Sequence, residues 1–336
     1  MIKRLERLCQ LNGAPGNEDN IRQYILKELQ GVAECKIDAM GNIIAYKKGK
    51  NAAKYKLMVD AHMDEVGIIV TSITSDGFLK FTTLGGIKDC ILLNSTVIIN
   101  DNIKGIIGCK PVHLSSADER KNAPKKDALY IDIGATSKEE AEQYISLGDY
   151  GVIDSEFEVL GTKIKAQAID DRAGCLILLD LLKMDSDYDF YATFTVQEEL
   201  GTRGAKTATF AVNPDFSLVL EATTAADIDG VSDSDKVCVL GNGPAVSFMD
   251  TGTVYDRALY NVALQSGITC QVKASVTGGN NSRSVQQCRD GVRTLALSVP
   301  CRYIHSPSCV ADMNDIKAEF ELTKYMINKI CSGEID

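Results

Sequence analysis

The sequence predicts an α/β protein whose parent domain is interrupted by a β-rich insert, and three observations carry that reading. Near both ends of the 336-residue chain, apolar residues at helical spacing alternate with buried-type strand runs. Between about residues 68 and 160 this rhythm gives way to short β-type runs divided by glycines and polar turns. Acids and histidines then recur just past the long apolar runs, at the strand edge where open α/β sheets bind ligands. The chain therefore divides into a discontinuous parent domain, residues 1–67 and 161–336, and an insert over 68–160. At 45% hydrophobic residues it has enough apolar material for both.

Composition narrows the partners. A net charge of -10, with no clustered Lys and Arg, argues against nucleic acid and leaves small or peptidic molecules. The opening Met1-Ile2-Lys3-Arg4-Leu5-Glu6-Arg7 leads into no apolar export region, and no later apolar run reaches about 18 residues. Neither export nor membrane insertion is predicted. Eleven cysteines are scattered singly without CxxC spacing, as reduced core thiols of a cytoplasmic protein would be. Only three histidines exist, His62, His113 and His305.

Taken in order, residues 4–30 carry helical spacing on both sides of the breaker cluster Asn12–Asn17, which predicts two helices, the second capped by Asn17. Strand-like runs follow at 35–46 and 56–61, the first folded by a turn at Met40-Gly41-Asn42. The second run delivers His62-Met63-Asp64, and period-two alternation puts the His62 and Asp64 side chains on one side, where Asp64 can orient a metal-bound imidazole. The insert then offers six β-type runs between Gly67 and Ile153, with the texture of a small β-barrel or sandwich. His113 precedes a charged loop over 115–127 and has no carboxylate at ligand spacing, so it reads as structural or peripheral.

After the insert, Ala168-Ile169-Asp170-Asp171-Arg172-Ala173-Gly174-Cys175 leads into an apolar run and reads as a helix N-terminus. Unpaired amides and the positive end of the dipole favour carboxylates there, either as a simple cap or around a metal. A helix over 172–184 and a strand over 189–196 lead to Gln197-Glu198-Glu199. Another strand, 216–220, ends at Glu221, and a last one, 294–299, leads to Pro300-Cys301-Arg302-Tyr303-Ile304-His305.

His62, Asp170, Glu199, Glu221 and His305 thus make a set of two imidazoles and three carboxylates, the mix expected for zinc or a similar divalent ion. Two ions sharing Asp170 bring a charge of about +4, which three carboxylates and a bridging hydroxide nearly cancel. Glu198 is left over, and an uncoordinated carboxylate beside metals is what a general base requires.

The motifs AHMDEVG at 61–67, GIIGCKPVHL at 105–114, LYIDIGATSKEEAE at 129–142, AIDDRAG at 168–174, VQEELGTRGA at 196–205, LEATTAADI at 220–228 and VPCRYIHSP at 299–307 resemble the M42 family of dinuclear metallo-aminopeptidases. The resemblance implies an α/β/α zinc-peptidase domain of the phosphorylase/hydrolase-like type, carrying a small PDZ-like β-barrel that dimerises. It implies two divalent ions per subunit, zinc or cobalt before manganese. His62, Asp170 and Glu221 would hold one, and Asp170, Glu199 and His305 the other. Asp64 would stand behind His62, Glu198 would act as general base, and Asp170 and Asp171 would be joined by a cis peptide. It further implies release of N-terminal residues from short peptides by a homo-oligomer, a dodecamer built from dimers.

Two positions depart from the family pattern. Glu221 stands where many members have Asp, a longer arm with the same ligand chemistry. Thr277–Ser284 replaces a segment that usually reads Gly-Gly-Thr/Asn-Asp-Ala-Gly, so that Asn281 takes the place of an acid and Arg283 that of a small residue. Arg283 and Asn281 are therefore the substrate-binding candidates, with Arg283 favouring an acidic N-terminal side chain. Two other functions are the alternatives to peptide hydrolysis. Glycoside hydrolysis needs two carboxylates across a sugar ring, which adjacent Glu198 and Glu199 suit poorly in a chain without Trp. A catalytically silent assembly protein is the other.

Overall fold

Two structures built on different principles share the chain: a large twisted sheet with helices on its two faces, and a closed barrel inserted between two of its strands. The computed structural model describes residues 1–116 and 121–335.

Four parallel strands form the middle of the sheet, Phe190–Thr195, Leu57–His62, Phe216–Thr224 and Arg293–Arg302, in that order. Glu34–Ile37 and Ile43–Lys47 extend it at one end, and Cys309–Asp312, Lys163–Ala166 and Glu158–Leu160 at the other. Parallel strands covered on both faces need apolar residues at successive positions, and Leu57 through His62 are all buried. Alternation along this strand serves two cores. Leu57, Val59 and Ala61 face the helices Ile2–Cys9, Asp19–Leu29, Ile169–Lys183 and Met313–Cys331. Met58 faces the other side, with Val219, Ala205 and Val212 of the helix Arg203–Val212, and Val285.

The six runs read from the insert are the six strands of the barrel: Gly67–Ile73, Leu79–Leu84, Tyr130–Asp132, Ile103–Gly108, Thr96–Ile99 and Tyr150–Ile153, closed in that order. Ile68, Val70, Leu79, Val97, Ile107 and Ile131 fill a core of its own. Closure leaves these strands no open edge. The sequence pattern extends the insert to residue 160, whereas Glu158–Leu160 pairs with Lys163–Ala166 and belongs to the large sheet. Gly161, at φ +68°, turns the chain between them.

The breaker cluster separates Ile2–Cys9 from Asp19–Leu29. Asn17 makes no capping bond; Glu18 is the first-turn boundary, and its carboxylate accepts the amides of Gly16 at 2.8 Å and Gln197 at 3.1 Å. The turn at Met40-Gly41-Asn42 is folded by Asp38, whose Oδ1 accepts the amides of Met40, Gly41 and Asn42 at 2.9, 3.0 and 3.1 Å. His113 lies on an exposed 3-10 turn of the inserted module, and part of the charged loop after it, 117–120, lies outside the described residues. Among the described residues no helix is long and apolar enough to cross a membrane.

Candidate metal centre

The carboxyl ends of the four parallel strands, together with the start of the helix Ile169–Lys183, converge on one cluster of histidines and acids. His62 closes its strand and its ring is buried. Its Nδ1 lies 3.0 Å from the backbone oxygen of Asp64 and 3.5 Å from that residue's Oδ1. Its Nε2 lies 3.2 Å from Asp170 Oδ1 and 3.6 Å from Glu221 Oε2. His305 mirrors this arrangement, with Nε2 3.4 Å from Asp170 Oδ2 and 3.1 Å from Glu199 Oε1. Its Nδ1 lies 3.1 Å from the backbone oxygen of Gly86, which follows the second barrel strand. Each imidazole is therefore held at one nitrogen by a carbonyl while its other nitrogen faces carboxylates, and Asp170 offers one oxygen to each.

Backbone geometry puts the groups there. Asp170 and Asp171 are joined by a cis peptide bond and depart from helical dihedrals at the head of their helix. Ala168, Gln197, Tyr303 and His305 all take positive φ, a costly conformation for such residues that concentrates at functional sites. Asp64 organises the next strand end, where its two oxygens accept the amides of Glu198 at 3.0 Å and Glu199 at 3.1 Å. Its backbone thus orients His62 while its carboxylate positions both glutamates. Asp171 gives Oδ1 to the amide of Gly174 at 2.9 Å and shares ligand-atom distances within 4.8 Å with His62 and Glu221. His62, Asp170 and Glu199 form a second such group.

The electrostatics are those of crowded buried acids. Burial, then neighbouring carboxylates, pushes Glu198 well above the usual range and raises Glu221 to about 7. His305 loses solvation on burial, but Asp170 and Glu199 outweigh that and raise it to about 11. Burial also works against the charge of Asp170, yet the two imidazoles hold it below the ordinary carboxylate range. Glu221 Oε1 and Asp171 Oδ2 are buried without a hydrogen-bond partner in a polar cage that a divalent cation would satisfy. Two imidazoles and several carboxylates are a donor set suited to zinc and its neighbours, so these residues fit a metal centre.

Glu198 differs from its neighbours. Its carboxylate makes no hydrogen bond or ion pair among the described residues and opens into a cavity of about 340 Å³, also lined by Asp170, Glu221, Lys273 and His305. Arg283 and Asn281 do not line that cavity. Asn281 is buried and donates its amide to Asp60 at 2.8 Å and to Thr195 at 2.9 Å. Arg283 is exposed, its stem lying over Gly252.

Comparison with known proteins agrees with this geometry. A family model described as M42 glutamyl aminopeptidase matches residues 41–322. The chain belongs to the M42 peptidase family. It is therefore a hydrolase of the aminopeptidase type. A putative aminopeptidase of Acetivibrio thermocellus is 33% identical over 98% of both chains. Lysyl aminopeptidase of Pyrococcus furiosus is 31% identical over 97% of this chain and 96% of its own. Among solved structures, an aminopeptidase of Desulfurococcus kamchatkensis superposes with a TM-score of 0.92 at 32% identity, covering 99% of this chain and 95% of that one. The TET1 peptidase of Pyrococcus horikoshii, which can assemble into a tetrahedron or a large octahedral shell, gives 0.85 at 32% identity over 97% and 98%. Membership in a peptidase family sets aside glycoside hydrolysis, which the adjacency of Glu198 and Glu199 already disfavoured.

Several residues at the centre escaped the sequence reading. Asp60 sits in the strand below His62, where burial raises its carboxyl to about 6 despite bonds from Thr193, Asn281 and Thr195. An acid inside an apolar run was the available signal. Glu319 is buried on the last helix and pushed well above its usual range by burial and by Glu221, and a charge on that helix's apolar face was equally visible. Arg172 is fully buried, bonded to the carbonyls of Leu8 at 2.5 Å and Leu11 at 2.8 Å and to Glu65 at 3.3 Å. It ties the first helix to the floor of the site.

Proposed function

We propose that this chain is a two-metal aminopeptidase that releases N-terminal residues from short peptides, with Glu198 as general base. The supporting observation is Glu198 itself: a half-buried, unpartnered carboxylate open to a cavity beside two histidines that share Asp170. His62, Asp170 and Glu221 would hold one ion, and Asp170, Glu199 and His305 the other. Zinc or cobalt is the first choice, with manganese behind them. Bound divalent ions would supply positive charge that polarises the scissile carbonyl and acidifies water.

The chain's own residues supply the rest. Glu198 takes a proton from the attacking water at its carboxylate and passes it to the leaving amine. Asp64 keeps Glu198 and Glu199 at their stations through two backbone amides, and Gly86 fixes the ring of His305. The acids of the cavity attract the free α-amine of a substrate and so select an N-terminus.

Residues 68–157 form an assembly module in this reading. Ile106, Val112, Leu114, Tyr144 and Leu147 are large apolar side chains exposed in that region. The assembly of the TET1 relative supports a homo-oligomer, which we propose to be a dodecamer built from dimers, and the scattered cysteines support a cytoplasmic setting. A panel of aminoacyl-p-nitroanilides, given to stripped protein with zinc, cobalt or manganese restored and with cellulose in parallel, tests the function. Metal-dependent anilide hydrolysis is expected. Cellulose cleavage, or silence toward every substrate, would contradict it.

A further inference from the structure

One cation in the catalytic cavity forms no ion pair among the described residues. Lys273 is only 6% exposed, yet it lines the cavity that also contains Glu198 and His305. Its ammonium makes no hydrogen bond or ion pair among the described residues. Buried lysines are ordinarily paired, because an uncompensated charge in the interior is expensive. The position is also fixed. The Lys273 amide donates to Val246 at 3.0 Å and the Ala274 amide to Val237 at 2.9 Å, so the backbone on both sides of the side chain is anchored.

Of the acids that line the cavity, Glu198 alone is unengaged, and it forms no ion pair with Lys273. Asp170, Glu199 and Glu221 all face the histidines at 3.1 to 3.6 Å. The cavity wall carries hydroxyls from Thr223, Thr224, Thr277 and Ser298. Such a wall suits a carboxylate better than an aliphatic side chain, since each hydroxyl can donate to it.

We infer that Lys273 receives the side-chain carboxylate of an N-terminal glutamate or aspartate and sets the enzyme's preference for acidic residues. This rests on the aminopeptidase reading above. It moves the specificity role from Arg283, which lies outside the cavity, to a lysine that no sequence motif singles out. The pairing is direct: the substrate carboxylate accepts from the ammonium, which thereby gains a paired counter-charge.

The metal-loaded enzyme should be assayed on the p-nitroanilides of Glu, Gln, Leu and Lys. Gln is the neutral isostere of Glu, so the Glu-to-Gln ratio of kcat/KM isolates the charge. We expect wild type to favour Glu by at least about tenfold, and Lys273→Met to lower that ratio by about 10- to 100-fold, the range of a charge-assisted bond. Lys273→Arg should retain most of the preference, and Lys273→Glu should turn it toward the Lys substrate. Wild type that treats Glu and Gln alike, or a ratio unchanged in Lys273→Met, would overturn the inference. If wild type cleaves Leu or Lys anilides but not Glu, only the role of Lys273 falls. If it cleaves none, the peptidase reading falls with it.

Discussion

Asp170 turns one carboxylate oxygen toward each of two histidines, while Glu198, which lines the same cavity, binds neither. That division between engaged and free acids is the chemistry of the site at residue scale. Glu198→Gln removes the proton acceptor and leaves every proposed ligand, so turnover should fall by about 10² to 10⁴ at unchanged metal content. Retention of most activity in that variant would refute the assignment. Gly174 makes a second prediction. A Cβ there would come within 2.6 Å of Asp171 Oδ1, inside the cap that shapes the head of the helix. Gly174→Ala should cost about 1 to 3 kcal/mol of stability, read as a lower urea midpoint; an unchanged midpoint would show that the cap yields freely. The five candidate ligands were legible in the sequence because each follows a strand or heads a helix. Asn281 and Arg283 show the limit of that logic. Motif position put them near substrate, but the fold spends Asn281 on bracing Asp60 and leaves Arg283 outside the cavity.

Strand ends and their loops are the elements that assemble the centre. Asp64 links two of them, since its carboxylate accepts both amides of the Glu198-Glu199 pair from the neighbouring strand. Asp64→Asn keeps the shape but weakens these bonds, and activity or metal affinity should fall about 10- to 100-fold. A calorimetric metal titration indistinguishable from wild type, with full turnover, would remove Asp64 from the support of the site. At this scale the sequence revealed strand and helix types well, because both the period of two and the helical period survive in single segments. It located ends less well. Glu18, rather than Asn17, borders the second helix because its carboxylate meets an amide 179 residues away, a tertiary bond that local pattern does not contain. Glu158–Leu160 left the insert for the same reason: its partner strand lies beyond the turn at Gly161.

At the scale of the whole molecule, folding concentrates acids that would rather be protonated. Burial raises Glu18, Glu65 and Glu221 to about 7 and Asp60 to about 6. Their unfolded values lie near 4, so between about pH 4.5 and 7 the folded chain binds more protons than the unfolded one. Stability of the metal-free protein should therefore be present at the acid side of that window and decline as pH rises through it. Urea midpoints of stripped protein at pH 5 and pH 7.5 check the sign, and a higher midpoint at pH 7.5 would be the wrong one. A divalent ion should shrink the difference by holding Glu221 ionised. The most direct test of the account is a titration of zinc, cobalt or manganese into stripped protein, with bound metal and anilide turnover followed together. The account predicts two ions per chain and turnover that appears only as the sites fill; full activity without metal, or saturation at a single ion per chain, would contradict it.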